Sequence, residues 1–140
     1  ISELARKSNI HRNTITGYLY FLEQAQLIRQ LLPAGISLNL LQKPEKVYLN
    51  NTNLAYALAS DTTNKGNLRE TFFASQLSVD HKVNLPRQGD FLVDDKIIFE
   101  IGGRNKSSKQ IKELPNSFIV ADDWDYPVTV LPLWVFGMLY

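Results

Sequence analysis

The stretch GDFLVDDKIIFEIGG, residues 89–103, restricts the fold more than any other part of the chain. Apolar residues crowd both sides of Asp94-Asp95, a dipeptide suited to a tight turn between two strands. The pattern predicts a hairpin with strands over residues 90–93 and 96–101. Ile97, Ile98, Phe99 and Ile101 give the second strand two apolar faces, as expected of a strand buried on both sides. It carries one carboxylate, Glu100, and then runs into Gly102 and Gly103. Folding back at the turn sets Asp90 nearly opposite Phe99 and Glu100. A carboxylate in so apolar a strand needs a partner or an ion.

Around this hairpin the second half of the chain reads as helix, three strands, helix, strand. The helix covers residues 67–78 (NLRETFFASQLS), and a first strand covers 82–86. A short helix is expected over 107–114 (SSKQIKEL), then a strand over 117–122 (SFIVAD). The crossover between the Glu100 strand and that strand should be right-handed, which makes the two parallel. A further strand near 128–131 leads into an apolar tail that is shorter than a membrane span and broken by Pro132 and Gly137. A strand and a short helix are expected there, with no membrane contact.

Glu70, on the helix before the hairpin, can approach Asp90 and Glu100 from the side. Three carboxylates converging on one spot offer the oxygen ligands that Mg²⁺ or Mn²⁺ takes, and such an ion activates water against a phosphodiester. Each acid also has a plainer reading: Glu70 as a surface residue, Asp90 as a strand start after Gly89, and Glu100 as the partner of Arg104 or a lysine.

The first sixty residues have a different grammar. ISELARKSNIHRNTITGYLYFLEQAQLI predicts two helices with a sharp stop at Ser8-Asn9, since Asn tolerates the left-handed conformation. Leu4 and Ala5 should point inward from the first helix. In the second, Ile15, Tyr18, Leu19, Leu22 and Ala25 form one apolar stripe. Two strand-like runs follow, over 27–32 and 46–49, and then a helix NLAYALAS for which Asn53 can serve as cap. Ala5, Asn9 and Ile15 stand where a helix-turn-helix needs a small residue, a turn former and a β-branched residue. Helices followed by a hairpin make the unit winged. In such a unit the start of the second helix enters the DNA major groove. Arg12, Asn13, Thr16 and Tyr20 lie off the stripe and are the candidates for DNA contact. The same row is also what a merely solvated helix face looks like.

Charge is split in a way that permits phosphate contact at one end. Residues 1–60 carry six Lys and Arg against three acids, and residues 61–140 carry nine against eleven. The polar run 61–67 marks a boundary between units 1–60 and 61–140. Cysteine is absent, which rules out disulfides and thiolate metal sites and suits a cytoplasmic protein. The chain starts with ISELARK and no leader pattern, and is expected to be part of a longer protein whose first winged-unit helix lies upstream.

The order αβββαβ, with Asp90 on the hairpin and Glu100 on the next strand, resembles the PD-(D/E)XK nuclease fold. Together with the winged unit and the KPEKVYLNNTNLAYAL, GNLRETFFASQL and GDFLVDDKIIFEIGG segments, it resembles the C-terminal region of bacterial and archaeal AAA-type ATPases. The resemblance implies an α+β chain: a winged helix-turn-helix, then a nuclease-like domain. It also implies roles for Glu70, Asp90, Glu100 and Gln110 in a nuclease-like site, with Asp90 and Glu100 as metal ligands. Two positions depart from the pattern. Gly89 stands where proline precedes the acid, and Gly102 stands where a lysine belongs, leaving Lys106 or Lys109 to reach back. ATP would be held by an upstream domain, because GGRNKS lacks the phosphate-loop spacing. The expected function is a non-catalytic module that engages DNA or another macromolecule beside its own ATPase domain. The alternatives are a metal-dependent nuclease with a displaced lysine and a protein-interaction or assembly domain.

Overall fold

A computed structural model describes residues 2–35, 44–59, 63–103, 111, 113–122 and 130–140. The chain is α+β. Helix α1 (Ser2–Ser8) and helix α2 (Arg12–Gln24) are separated by Asn9, whose φ of 54° supplies the sharp stop. The His11 ring accepts the Asn13 N–H at 3.3 Å and caps α2 in place of a hydroxyl. Strands β1 (Ile28–Leu31) and β2 (Lys46–Leu49) pair antiparallel, with Arg29 opposite Tyr48 and Leu31 opposite Lys46. Helix α3 (Thr52–Ala59) begins two residues earlier than expected: Asn51, not Asn53, supplies the cap, its side chain accepting the Asn53 N–H at 2.7 Å.

Helix α4 (Lys65–Leu77) is capped by Asn64 and lies on one face of a five-stranded sheet. The strands are β3 (Val83–Asn84), β4 (Phe91–Val93), β5 (Ile97–Gly102), β6 (Ser117–Ala121) and β7 (Val130–Pro132), in that spatial order. The β3–β4 and β4–β5 pairs are antiparallel, and the β5–β6 and β6–β7 pairs are parallel. Asp94 and Asp95 form the β4–β5 turn with φ of 51° and 56°, the left-handed pair that a two-residue hairpin demands. A 3-10 helix (Leu133–Met138) ends the chain. The expected helix over 107–114 falls mostly outside the described residues, Gln110, Lys106 and Lys109 with it. No described helix is long and apolar enough to cross a membrane.

The core is centred on Phe73 of α4, which is fully buried. Its ring centroid lies 5.1 Å from that of Phe91, 5.0 Å from Phe99 and 4.8 Å from Phe136. Leu31 and Tyr48 of the hairpin belong to this same buried cluster. Beyond β1, the Leu85 N–H donates to the Leu32 carbonyl and the Ala34 N–H donates to the Leu85 carbonyl, both at 2.9 Å. The hairpin is thus joined to the sheet by side-chain packing and by backbone hydrogen bonds.

The stripe on α2 is narrower than its spacing predicts. Ile15 and Leu19 are buried, but Tyr18 is 53% exposed and Leu22 38%. On α1, Leu4 is 50% exposed and no residue is fully buried. Among the described elements, α2 packs against β1 and α1.

Candidate functional site

Alternation along β2 puts Lys46 and Tyr48 on the same face, the one that also carries buried Leu31 across the hairpin. That face meets α4. The Tyr48 hydroxyl donates to Glu70 Oε2 at 2.5 Å, and Lys46 Nζ stands 3.3 Å from the same oxygen. Lys46 Nζ is also 3.8 Å from Asp90 Oδ1, at the start of β4. One ammonium therefore lies between carboxylates from a helix and a strand, and it comes from the other half of the chain. Burial and the hydrogen bond to Glu70 push the Tyr48 phenol well above its ordinary pKa, so it stays a donor.

Asp90 has a second task. Its Oδ2 accepts the Ile101 N–H at 2.8 Å, while its own N–H donates to the Phe99 carbonyl at 2.9 Å. β4 begins only at Phe91, so the carboxylate extends the β4–β5 ladder by one rung. Gly89, just before it, has φ of +94°. Proline, fixed near −65°, cannot occupy that conformation. A Cβ at Gly89 would also lie 2.7 Å from Ile98 Cγ2.

Glu100 is fully buried, yet it belongs to the other side of the sheet. Ile97, Phe99 and Ile101 join the core beneath α4, and the pleat turns Glu100 to the opposite face, that of Ile98 and Ile119. The structure thus brings Glu70 and Asp90 together through Lys46 and sets Glu100 on the reverse side of the strand. Among the described residues, no three Asp, Glu or His side chains are grouped to hold a metal. Gly102 ends β5. A Cβ on its neighbour Gly103 would lie 3.4 Å from Arg69 Nη2. Arg69 crosses that backbone to bind Asp122, with Nε donating to Oδ2 at 2.7 Å.

A cleft of about 610 Å³ opens beside Lys46, Tyr48 and Glu70, walled by Asn67 of α4 and Leu58 of α3. On α2, Asn13 and Tyr20 are exposed, and Arg12 and Thr16 are partly so. The Thr16 hydroxyl donates to the Arg12 carbonyl at 3.1 Å, and the Tyr20 ring meets Phe21 edge-on at 5.6 Å.

Lys46 and Tyr48 are the site residues that sequence reasoning missed. Their i, i+2 spacing in KVY placed them on one face, but nothing local says that a carboxylate 24 residues further on lies against it. In comparisons with known proteins, the chain matches no family model, no curated protein and no solved structure.

Proposed function

We propose that this chain is a non-catalytic binding module that engages DNA through α2 and the hairpin, and that it serves as the C-terminal region of a cytoplasmic AAA-type ATPase. In this reading α1, α2 and β1–β2 form a winged helix-turn-helix, and α4 with the sheet forms a PD-(D/E)XK-like scaffold. Its direct partners are DNA and the ATPase domain of its own protein. The observation that carries the reading is the division of α2: Ile15 and Leu19 are buried, while Arg12, Asn13 and Thr16 on its first turns and Tyr20 further along stay at or near the surface. Arg and Asn there suit purine edges, and the Thr methyl suits thymine. The scaffold's carboxylates support the non-catalytic part, because Glu70 and Asp90 are engaged with Lys46 and Tyr48.

Fluorescence anisotropy with a labelled duplex tests this at two salt concentrations. With about two to three phosphate contacts, affinity should fall about ten- to forty-fold between 50 and 200 mM salt. Arg12→Ala with Asn13→Ala should abolish the remaining binding. Binding that ignores salt, or that survives the double substitution unchanged, would show that α2 is not the DNA-reading element.

A further inference from the structure

We propose that Lys46 is the resident cation of the nuclease-like carboxylate site, filling with an ammonium the place where a divalent metal ion would bridge Glu70 and Asp90. The geometry points this way from each ligand in turn. Glu70 Oε2 receives both the Tyr48 hydroxyl and the ammonium, and Asp90 Oδ2 is committed to the Ile101 N–H. Asp90 Oδ1 has the ammonium at 3.8 Å. A Mg²⁺ or Mn²⁺ ion needs oxygen ligands close to 2 Å, and an approaching dication is repelled by a lysine already seated between the two acids. Glu100, on the far face of β5, does not join them.

The lysine that the nuclease pattern puts two residues after the strand acid is replaced by glycine here, and a lysine comes instead from the hairpin. Its role is changed by that move. An ammonium beside a metal and substrate assists chemistry; an ammonium between the two acids takes the metal's place. The consequence is a site closed to divalent cations, which ties β2 to α4 and β4. This inference is independent of whether α2 reads DNA, since Lys46, Glu70 and Asp90 all lie outside α2.

The test is Mn²⁺ binding, read from the electron paramagnetic resonance signal of free Mn²⁺. Lys46→Met keeps the aliphatic stem and removes the charge, and it should bind one Mn²⁺ at least tenfold more tightly than wild type. Adding Asp90→Asn to Lys46→Met should return binding to the wild-type level. Equal Mn²⁺ binding by wild type and Lys46→Met, or a gain that Asp90→Asn leaves intact, would overturn the proposal. A measurement on the unaltered protein covers the case of a poorly folded variant. Millimolar Mn²⁺ should leave the amide signals of Ile101 and Glu70 unbroadened, and selective broadening of both would refute a closed site.

Discussion

Replacing Tyr48 by Phe isolates the joint between the hairpin and α4. The ring stays where it packs, 5.7 Å from Phe91, and only the hydroxyl that donates to Glu70 is lost. A hydrogen bond to a charged group contributes about 1.5–3 kcal/mol. The Glu70 side chain is 23% exposed, so water can rehydrate it, which points to the lower end, about 1.5 kcal/mol. For a chain of this size that is a fall in Tm of about 5 °C. The same substitution changes the alkaline limb of stability. The folded pKa of Tyr48 is raised, chiefly by burial, so its contribution is complete below the unfolded value near 10 and declines as pH climbs toward the folded value. Above about pH 10 wild type should lose up to about 1.4 kcal/mol per pH unit more than Tyr48→Phe. Urea unfolding at pH 7.5 and across pH 9.5–11.5 reads both effects. A Tyr48→Phe protein within about 0.5 kcal/mol of wild type at pH 7.5, with the same alkaline slope, would refute the joint.

Two further outcomes follow from the β4–β5 hairpin. Gly89→Ala forces a side chain into φ of +94° and to within 2.7 Å of Ile98 Cγ2, so it should cost about 2–4 kcal/mol in urea unfolding, and a neutral result would refute the crowding. Asp94 is held below the usual carboxylate range by its hydrogen bond with His81 and by the Lys82 backbone N–H. Its contribution is therefore present above about pH 4 and lost as pH falls through the lowered folded value. Asp94→Asn, which tolerates the turn, should flatten that acid limb, whereas Asp94→Ala should also speed hydrogen exchange at the Lys82 amide; an acid limb unchanged in Asp94→Asn would refute the assignment.

Local chemistry in the sequence reached as far as single elements and their neighbours. The Asp94-Asp95 turn, the strand order through β5 and the parallel β5–β6 pair follow from hydrophobic runs and turn residues, because those features act over a few positions. The same holds for Asn9, where one residue's tolerance of positive φ ends a helix. Periodicity failed on α2 because it reports which residues lie on one face and not how wide the covering surface is. Ile15 and Leu19 are buried, and Tyr18 and Leu22 stay exposed on the same stripe.

The candidate site shows the same limit more sharply. Glu70, Asp90 and Glu100 could each be named as acids near the hairpin, but a one-residue step along β5 decides which face an acid occupies, and Asp90 at a ladder's end is not bound by that alternation. The cation beside Glu70 and Asp90 lies outside the hairpin segment 89–103. Lys46 reaches Asp90 across 44 positions, through a contact that exists only because Leu31 and Tyr48 are buried in the core around Phe73. The apolar packing comes first in this chain of causes: it seats the hairpin on α4, and the seated hairpin delivers the ammonium and the phenol to Glu70. Lifting the hairpin away would uncover Leu31 and Tyr48 and withdraw the lysine from both acids at once. The packing around Phe73 and the ion pairs of Lys46 thus join residues from both sequence units at one place.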